Sequence, residues 1–206
     1  MPNFALEDLA RSRGYNSIAG VDEAGRGPWA GPVVAGAVIL STENISAQLR
    51  SGLDDSKKLS QVKREKLFRL LPSYAAIGVG FSDIDEIDSL NILQASFLAM
   101  ERALIKLAQK PDYALVDGNK LPNLPCPGEC VIKGDSRSLS IAAASVVAKV
   151  TRDQIMTHLG ELYPGYGWER NAGYGTAEHK SALDRLGVTK HHRKSYAPII
   201  KILSQS

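Results

Sequence analysis

One stretch constrains this chain more than any other: Gly20-Val21-Asp22-Glu23-Ala24-Gly25-Arg26-Gly27-Pro28-Trp29-Ala30-Gly31-Pro32-Val33-Val34. An apolar run over 18–21 ends in two adjacent carboxylates, a turn rich in glycine and proline follows, and a second apolar run covers 33–40. A strand, a tight turn and a second strand are the simplest account. The carboxylates then fall where the first strand ends and the turn begins. Glycine lets a backbone pass close to a ligand, and an arginine between two glycines can present its planar fork to phosphate. For the Asp-Glu pair alone, a hairpin with a solvated acidic end is the competing account. A dinucleotide fingerprint is a poor rival: Gly25, Gly27 and Gly31 are spaced one residue too widely, and Pro28 and Pro32 oppose a helix opening there. No Walker-type G-x-x-x-x-G-K-[ST] occurs.

The rest of the 206 residues alternates strand and helix patterns. Phe4, Leu6 and Leu9 suggest a short amphipathic helix. Residues 41–59 read as irregular, with Asp54-Asp55-Ser56-Lys57-Lys58 as a charged knot. Ser60 caps an expected helix over 60–71 that Pro72 ends. Residues 75–81 read as a third strand, and short connections make the first three strands a meander. Leu90, Leu93, Phe97, Met100, Leu104 and Leu107 recur at helical spacing within 83–108. Short apolar runs over 113–116 and 130–132 end in Asp117-Gly118-Asn119 and Lys133-Gly134-Asp135. A long helix is expected over 138–159, and its Ala142-Ala143-Ala144-Ser145 stretch suits close packing on a sheet. Residues 163–175 read as a loop, 176–186 as a helix stopped by Gly187, and 190–194 as a basic tail. This order implies an α/β sheet with mixed strand directions and a C-terminal helical extension. We expect a single domain over 1–206, with a core at about 17–160 and the extension at about 161–206.

Three strand ends carry acid: Asp22-Glu23, Asp117 and Asp135. With the first, fourth and fifth strands as neighbours, these four carboxylates converge. Packed without a cation they would repel, and some would hold a proton. A set of oxygen ligands suits Mg²⁺ or Mn²⁺, and two such ions can assist water in an in-line phosphodiester cleavage. Strand-end Asp and Asp-Gly are also ordinary turn chemistry, and Asp135 reads equally as an exposed turn acid. Asp153 is placed on a helix surface, outside the direct ligands. Tyr174 is either a loop tyrosine packed on the core or a ring or hydroxyl meeting a sugar, whose 2′-OH separates RNA from DNA. Lys57, Lys58, Lys149 and Lys194 are phosphate binders or simply solvated. His179, His191 and His192 lack metal-ligand spacing and read as surface or, at most, phosphate-proximal.

The net charge of +3 permits a polyanionic partner without requiring one. Cys126 and Cys130 alone make neither a zinc nor a disulfide framework and read as reduced thiols. The N-terminal residues lack a signal-length apolar core, and no apolar run reaches membrane-spanning length. The expected compartment is the cytoplasm.

Taken together, the motifs resemble ribonuclease HII, the prokaryotic type 2 ribonuclease H. They are Gly20-Val21-Asp22-Glu23-Ala24-Gly25-Arg26-Gly27-Pro28, Asp55-Ser56-Lys57-Lys58-Leu59, Asn91-Ile92-Leu93-Gln94-Ala95-Ser96, Val116-Asp117-Gly118-Asn119, Lys133-Gly134-Asp135, Ala143-Ala144-Ser145 with Arg152-Asp153, Gly173-Tyr174-Gly175-Thr176 and His192-Arg193-Lys194-Ser195-Tyr196-Ala197-Pro198. They run in order over about 17–198. The resemblance implies a ribonuclease H-like fold, cleavage of RNA in RNA·DNA hybrids, and incision at single ribonucleotides in duplex DNA with 3′-hydroxyl and 5′-phosphate products. It implies that Asp22, Glu23, Asp117 and Asp135 hold the metal ions, Mn²⁺ or Mg²⁺, in a two-metal mechanism. It implies that Gly25, Arg26 and Gly27 read the 2′-OH and adjoining phosphates, and that Tyr174 stacks at the RNA–DNA junction. Asn91 and Lys57 occupy motif positions near the nucleic acid. Trp29 departs from the smaller apolar residue expected there. A monomer is expected, with no membrane association and no clear clamp-binding motif at the C-terminus. Two rivals stay open, a non-catalytic reader of hybrids and a two-metal nuclease acting on DNA alone. The intact acid set speaks against the first, and Tyr174 with the Gly-Arg-Gly turn speaks against the second.

Overall fold

The computed structural model describes residues 1–204, so the last two residues of the expected extension lie outside the described residues. Five apolar segments pair into one sheet: β1 (Ile18–Ala24), β2 (Val33–Leu40), β3 (Ala75–Ser82), β4 (Tyr113–Asp117) and β5 (Gly128–Val131). Their spatial order is β3-β2-β1-β4-β5. The first three form the antiparallel meander, and β4 and β5 run parallel beside β1. The three acid-tipped strands are therefore neighbours. β1 does not stop before its carboxylates: it stays paired with β2 through Asp22 and Glu23 to Ala24, which fixes both acids on sheet backbone rather than on a turn.

The helices in chain order are α1 (Ala5–Ser12), α2 (Ala47–Gly52), α3 (Gln61–Leu70), α4 (Ile84–Leu90), α5 (Ile92–Ile105), α6 (Leu139–Leu162), α7 (Trp168–Asn171), α8 (Ala177–Leu186) and α9 (Ala197–Leu203). Ser60, Ser138 and Thr176 cap α3, α6 and α8 by accepting a backbone N–H with the side chain. Three expectations need correction. The segment read as irregular contains α2, capped by Ser46. The helical pattern over 83–108 is two helices, because Asn91 adopts φ 71° and its Oδ1 accepts from the N–H groups of Leu93 and Gln94. That cap restarts the chain as α5 while the hydrophobic spacing continues across the break. The loop and tail after α6 hold α7 and α9, the latter with a proline in its first turn.

Helices cover both sheet faces, so β2 is buried along its whole length. α5 packs Ala95, Ala99 and Ala103 against one face with Ala19, Val21 and Ala35. α6 covers the other. A Cβ on Gly20 would sit 2.1 Å from the Ser140 carbonyl carbon, and one on Gly36 2.5 Å from the Ala144 oxygen. Glycine on the strands and alanine on the helix thus let α6 lie almost on the sheet backbone. A separate cluster of Ala30, Met156, Tyr166, Trp168, Leu183 and Ile199 ties the C-terminal helices to the turn after β1. Among the described residues, no helix is long and apolar enough to cross a membrane.

Candidate active site

Strand register positions the acids. Val21 pairs with Val116 across β1 and β4, so Asp22 and Asp117 follow side by side at the ends of neighbouring strands. Asp117 in turn pairs with Val131 at the end of β5. Its Oδ1 accepts from the Gly134 N–H at 2.6 Å, which holds the short 3₁₀ turn Gly134–Ser136 carrying Asp135. Asp22, Glu23 and Asp135 line one cavity of about 280 Å³, together with Gly25, Arg26, Gly27, Lys57, Lys149, Arg152 and Tyr174.

The electrostatics follow from burial and crowding. Burial first, then Glu23 and Asp117, raise the Asp22 carboxyl well above its ordinary value. Glu23 is also raised, mainly by burial, with Arg26 opposing the shift. Asp135 is pushed up to about 6 by burial, then by Asp55 and Asp117, with Lys57 pulling the other way. Asp55 is a fifth carboxylate at this place. It sits in the charged knot before Lys57, and strand-end reasoning passed over it because it lies on a turn.

The turn after β1 is held from behind by two buried arginines. Arg193 is fully buried. Its guanidinium donates to the carbonyls of Gly25 (2.5 Å), Arg26 (2.9 Å) and Gly31 (3.0 and 2.9 Å), and to Tyr196 Oη (2.9 Å). Arg152 on α6 donates to the carbonyls of Ala30, Pro32 and Ala172. Burial first, and then the nearby Arg193, lower Arg152 to about 10, which leaves it cationic at neutral pH. Gly25 adopts φ +100°, and a Cβ there would meet Arg152 Nε at 2.0 Å. Only glycine fits. Arg26 points outward, half exposed, and lies 3.3 Å from Glu23 Oε1. Both clamp arginines sit in motifs noted in the sequence, but the 190–194 tail read only as basic, and a basic run gives no sign that Arg193 is buried.

Tyr174 is 45 % exposed and faces the cavity. Its ring edge would lie 3.4 Å from a Cβ on Gly27, so the turn and the ring share one wall. The reading of the histidines as surface is overturned: His179 and His192 are fully buried. Thr189 N donates to His192 Nδ1 (2.9 Å), His179 Nε2 accepts from Trp168 Nε1 (3.2 Å), and the two imidazole Nε2 atoms lie 3.1 Å apart. This pattern is satisfied with both rings neutral, His192 carrying its proton on Nε2 and His179 on Nδ1. His179 Nδ1 then donates to the Tyr174 carbonyl at 3.0 Å. Trp29 fills the space beside this network. Its backbone N–H donates to the Gly173 carbonyl, and a Cβ on Gly175 would collide with its ring at 2.1 Å, so the large residue is matched by a glycine opposite.

The remaining candidates divide. Lys57 is exposed on the cavity rim, and its loop is pinned to α6 by the Ser56 N–H on Ser145 Oγ. Lys149 reaches the cavity but is paired with Asp153, which also lies 3.8 Å from Arg64. Asn91 does not line the cavity, and its side-chain oxygen is committed to capping α5. Lys194 is held through its backbone by Asp88.

The donor set is all carboxylate oxygen, which fits a hard divalent cation. Among the described residues, no three acidic, imidazole or thiol side chains close into a cage that would hold an ion unaided. A Mg²⁺ site takes only one or two protein carboxylates directly, with water and substrate phosphate completing the coordination. Burial and mutual repulsion raise the carboxyls of Asp22, Glu23 and Asp135, and a bound cation would relieve that repulsion.

The family model described as Ribonuclease HII matches residues 19–199. A Ribonuclease HII from Rhodospirillum rubrum is 57% identical over 100% of this chain and 94% of its own length. The crystal structure of the ribonuclease H2 from Pyrococcus horikoshii OT3 superposes with a TM-score of 0.79 at 30% identity, covering 92% of this chain and 98% of that one. Bst-RNase HIII, in a structure described as a complex with Mn²⁺, gives a TM-score of 0.76 at 21% identity over 95% of this chain and 72% of its own, a likeness of fold alone.

Proposed function

The chain belongs to the ribonuclease HII family, and from that premise we propose that its acid-lined cavity hydrolyses the RNA strand of RNA·DNA hybrids. We further propose that it incises 5′ of single ribonucleotides in duplex DNA, leaving 3′-hydroxyl and 5′-phosphate ends. The observation that carries this reading is the convergence of Asp22, Glu23 and Asp135 on one cavity that the Gly25–Gly27 turn and Tyr174 also line.

Asp22, Glu23, Asp117 and Asp135 are the residues that would hold Mn²⁺ or Mg²⁺. Bound there, such ions supply positive charge against the scissile phosphate and raise the acidity of a water. The protein's own part is to orient and to discriminate. The turn is fixed by Arg193 and Arg152 so that its exposed face meets the ribonucleotide, with Tyr174 against the sugar. A strand lacking the 2′-OH leaves polar groups of that wall unpaired, at about 1–3 kcal/mol each. Lys57 on the rim suits a flanking phosphate. Asn91 caps α5 outside the cavity, and we assign it no part in the chemistry.

Three labelled duplexes test this: one with a single ribonucleotide, its all-DNA counterpart and an RNA·DNA hybrid, each with Mg²⁺ or Mn²⁺ and with a chelator. The first and third are expected to be cut, and the chelator stops both. Asp117→Asn is expected to cut neither while still retarding the hybrid in a gel. Wild-type cutting by Asp117→Asn, or equal cutting of the all-DNA duplex, refutes the reading. Retardation by the wild type without any metal-dependent product favours a non-catalytic reader.

A further inference from the structure

The segment matched by the family model begins at residue 19, yet residues before it bind the start of α6, next to the turn that carries Asp135. α1 carries Glu7, which is only 1% exposed. Its Oε1 accepts from Ser138 Oγ (2.6 Å) and from the Ser140 N–H (3.0 Å). Ser138 is the cap of α6, and its hydroxyl oxygen accepts from Ile141 N (3.1 Å). Glu7 therefore orients the capping hydroxyl and satisfies a free N–H in the first turn of α6. A carboxylate is favoured at that end by the helix dipole. A backbone bridge backs it up: Asn3 N donates to the Arg137 carbonyl, and Leu139 N to the Asn3 carbonyl.

The same few residues position the acids. Ser138 N and Arg137 N both donate to the Gly134 carbonyl, Gly134 N donates to Asp117 Oδ1, and Asp135 is the next residue in the turn. That turn starts from Lys133 at φ 54°, a left-handed conformation that a non-glycine residue holds only when its surroundings impose it. The other Glu7 oxygen, Oε2, is buried without a hydrogen-bond partner. Burying a carboxylate in that state costs stability.

We propose that Glu7 is a positioning residue for the reaction: from outside the family-matched segment it locks the α6 start and, through Gly134, the geometry of Asp117 and Asp135. This rests on the reading of those acids as the ion-binding set. Residues that orient metal ligands without touching the metal typically change affinity or activity about 10- to 100-fold. Glu7→Ala is therefore expected to weaken Mn²⁺ binding, measured by calorimetry on the free protein, by about tenfold or more. It should lower kcat to match while leaving KM for the hybrid unchanged. Glu7→Gln keeps the shape and an oxygen toward Ser138 and Ser140. It provides the folded comparison if the alanine variant is too unstable, and its Mn²⁺ affinity is expected to fall between the two. Thermal melting is followed in parallel.

A lower melting temperature with wild-type Mn²⁺ affinity and kcat in both variants makes Glu7 a fold residue only and overturns the proposal. Asp117→Asn, titrated alongside, separates the two levels. If it loses Mn²⁺ binding while Glu7→Ala retains it, the positioning role alone is overturned. If it binds Mn²⁺ as the wild type does, the ion-binding assignment falls and the positioning role falls with it.

Discussion

Arg193→Met tests whether the recognition turn is a latched structure. Methionine has a similar reach and is apolar, so it fills the space without clashing. What disappears is every donor to Gly25 O and Gly31 O, whereas Arg26 O keeps the Tyr196 hydroxyl at 2.6 Å. Two carbonyls left without donors cost about 1–3 kcal/mol each. Removing a buried guanidinium also removes its desolvation penalty, which offsets part of that loss. A net loss of about 3 kcal/mol is the outcome, and for a chain of this size that is about 6–12 °C in Tm. Arg193→Lys should fall between the two, because one ammonium cannot span the Gly25, Arg26 and Gly31 carbonyls as the planar fork does. The assays are a circular-dichroism melt and steady-state cutting of a single-ribonucleotide duplex at a temperature where both proteins are folded. There kcat/KM should fall about tenfold or more, equivalent to about 1.4 kcal/mol of transition-state stabilisation lost. A Tm within about 2 °C of wild type refutes the latch. A large Tm loss with unchanged kcat/KM refutes its link to the reaction.

Two further predictions concern neighbouring parts of the same wall. Gly27 has room for a Cβ, which would only touch Tyr174 Cε1 at 3.4 Å, whereas Gly25 has φ +100° and Arg152 at 2.0 Å. Gly27→Ala should therefore melt like the wild type yet lose cutting through collision with the ribonucleotide, whereas Gly25→Ala should lose both; full activity in Gly27→Ala rejects close approach of substrate to that backbone. His192 is held down to about 4, by burial first and then by His179, so the unfolded chain binds the extra proton. Stability is complete above about pH 6.5 and falls as pH drops toward 4, by on the order of 3 kcal/mol. His192→Asn should show a shallower loss of Tm over that window, and an unchanged slope refutes the assignment.

The sheet was legible because its signals are local. Most strands are apolar runs closed by acid or glycine, and the neighbourhood of β1, β4 and β5 entered as the condition under which their acids can converge, which the strand order meets. The break at Asn91 was hidden because the hydrophobic spacing of α4 and α5 stays in phase across it, and only a positive φ at one polar residue gives it away. α9 was missed in a short tail read as merely basic. The larger omission was chemical. Arg152, Arg193, His179 and His192 are polar or charged residues buried among backbone carbonyls and aromatic rings, and a single sequence assigns such residues to the surface. Their partners are mostly main-chain oxygens, which carry no residue identity and so leave no pattern to read.

That omission separates two kinds of construction within one site. The acids stand on paired strands, and only Asp135 depends on a turn, one secured by Gly134 and the α6 start. The recognition wall has no such support: the turn after β1 and the Tyr174 loop are irregular backbone held by Arg193, Arg152 and the His179–His192 pair. Damage to the second set should therefore raise KM or blur the choice between RNA and DNA while metal binding survives. Damage to Gly134 or the α6 start should do the opposite. Measuring Mn²⁺ affinity and the ratio of ribonucleotide to all-DNA cutting in Arg193→Met and Glu7→Ala side by side decides it. If both variants lose both properties in proportion, the site is one mechanical unit and the division is wrong.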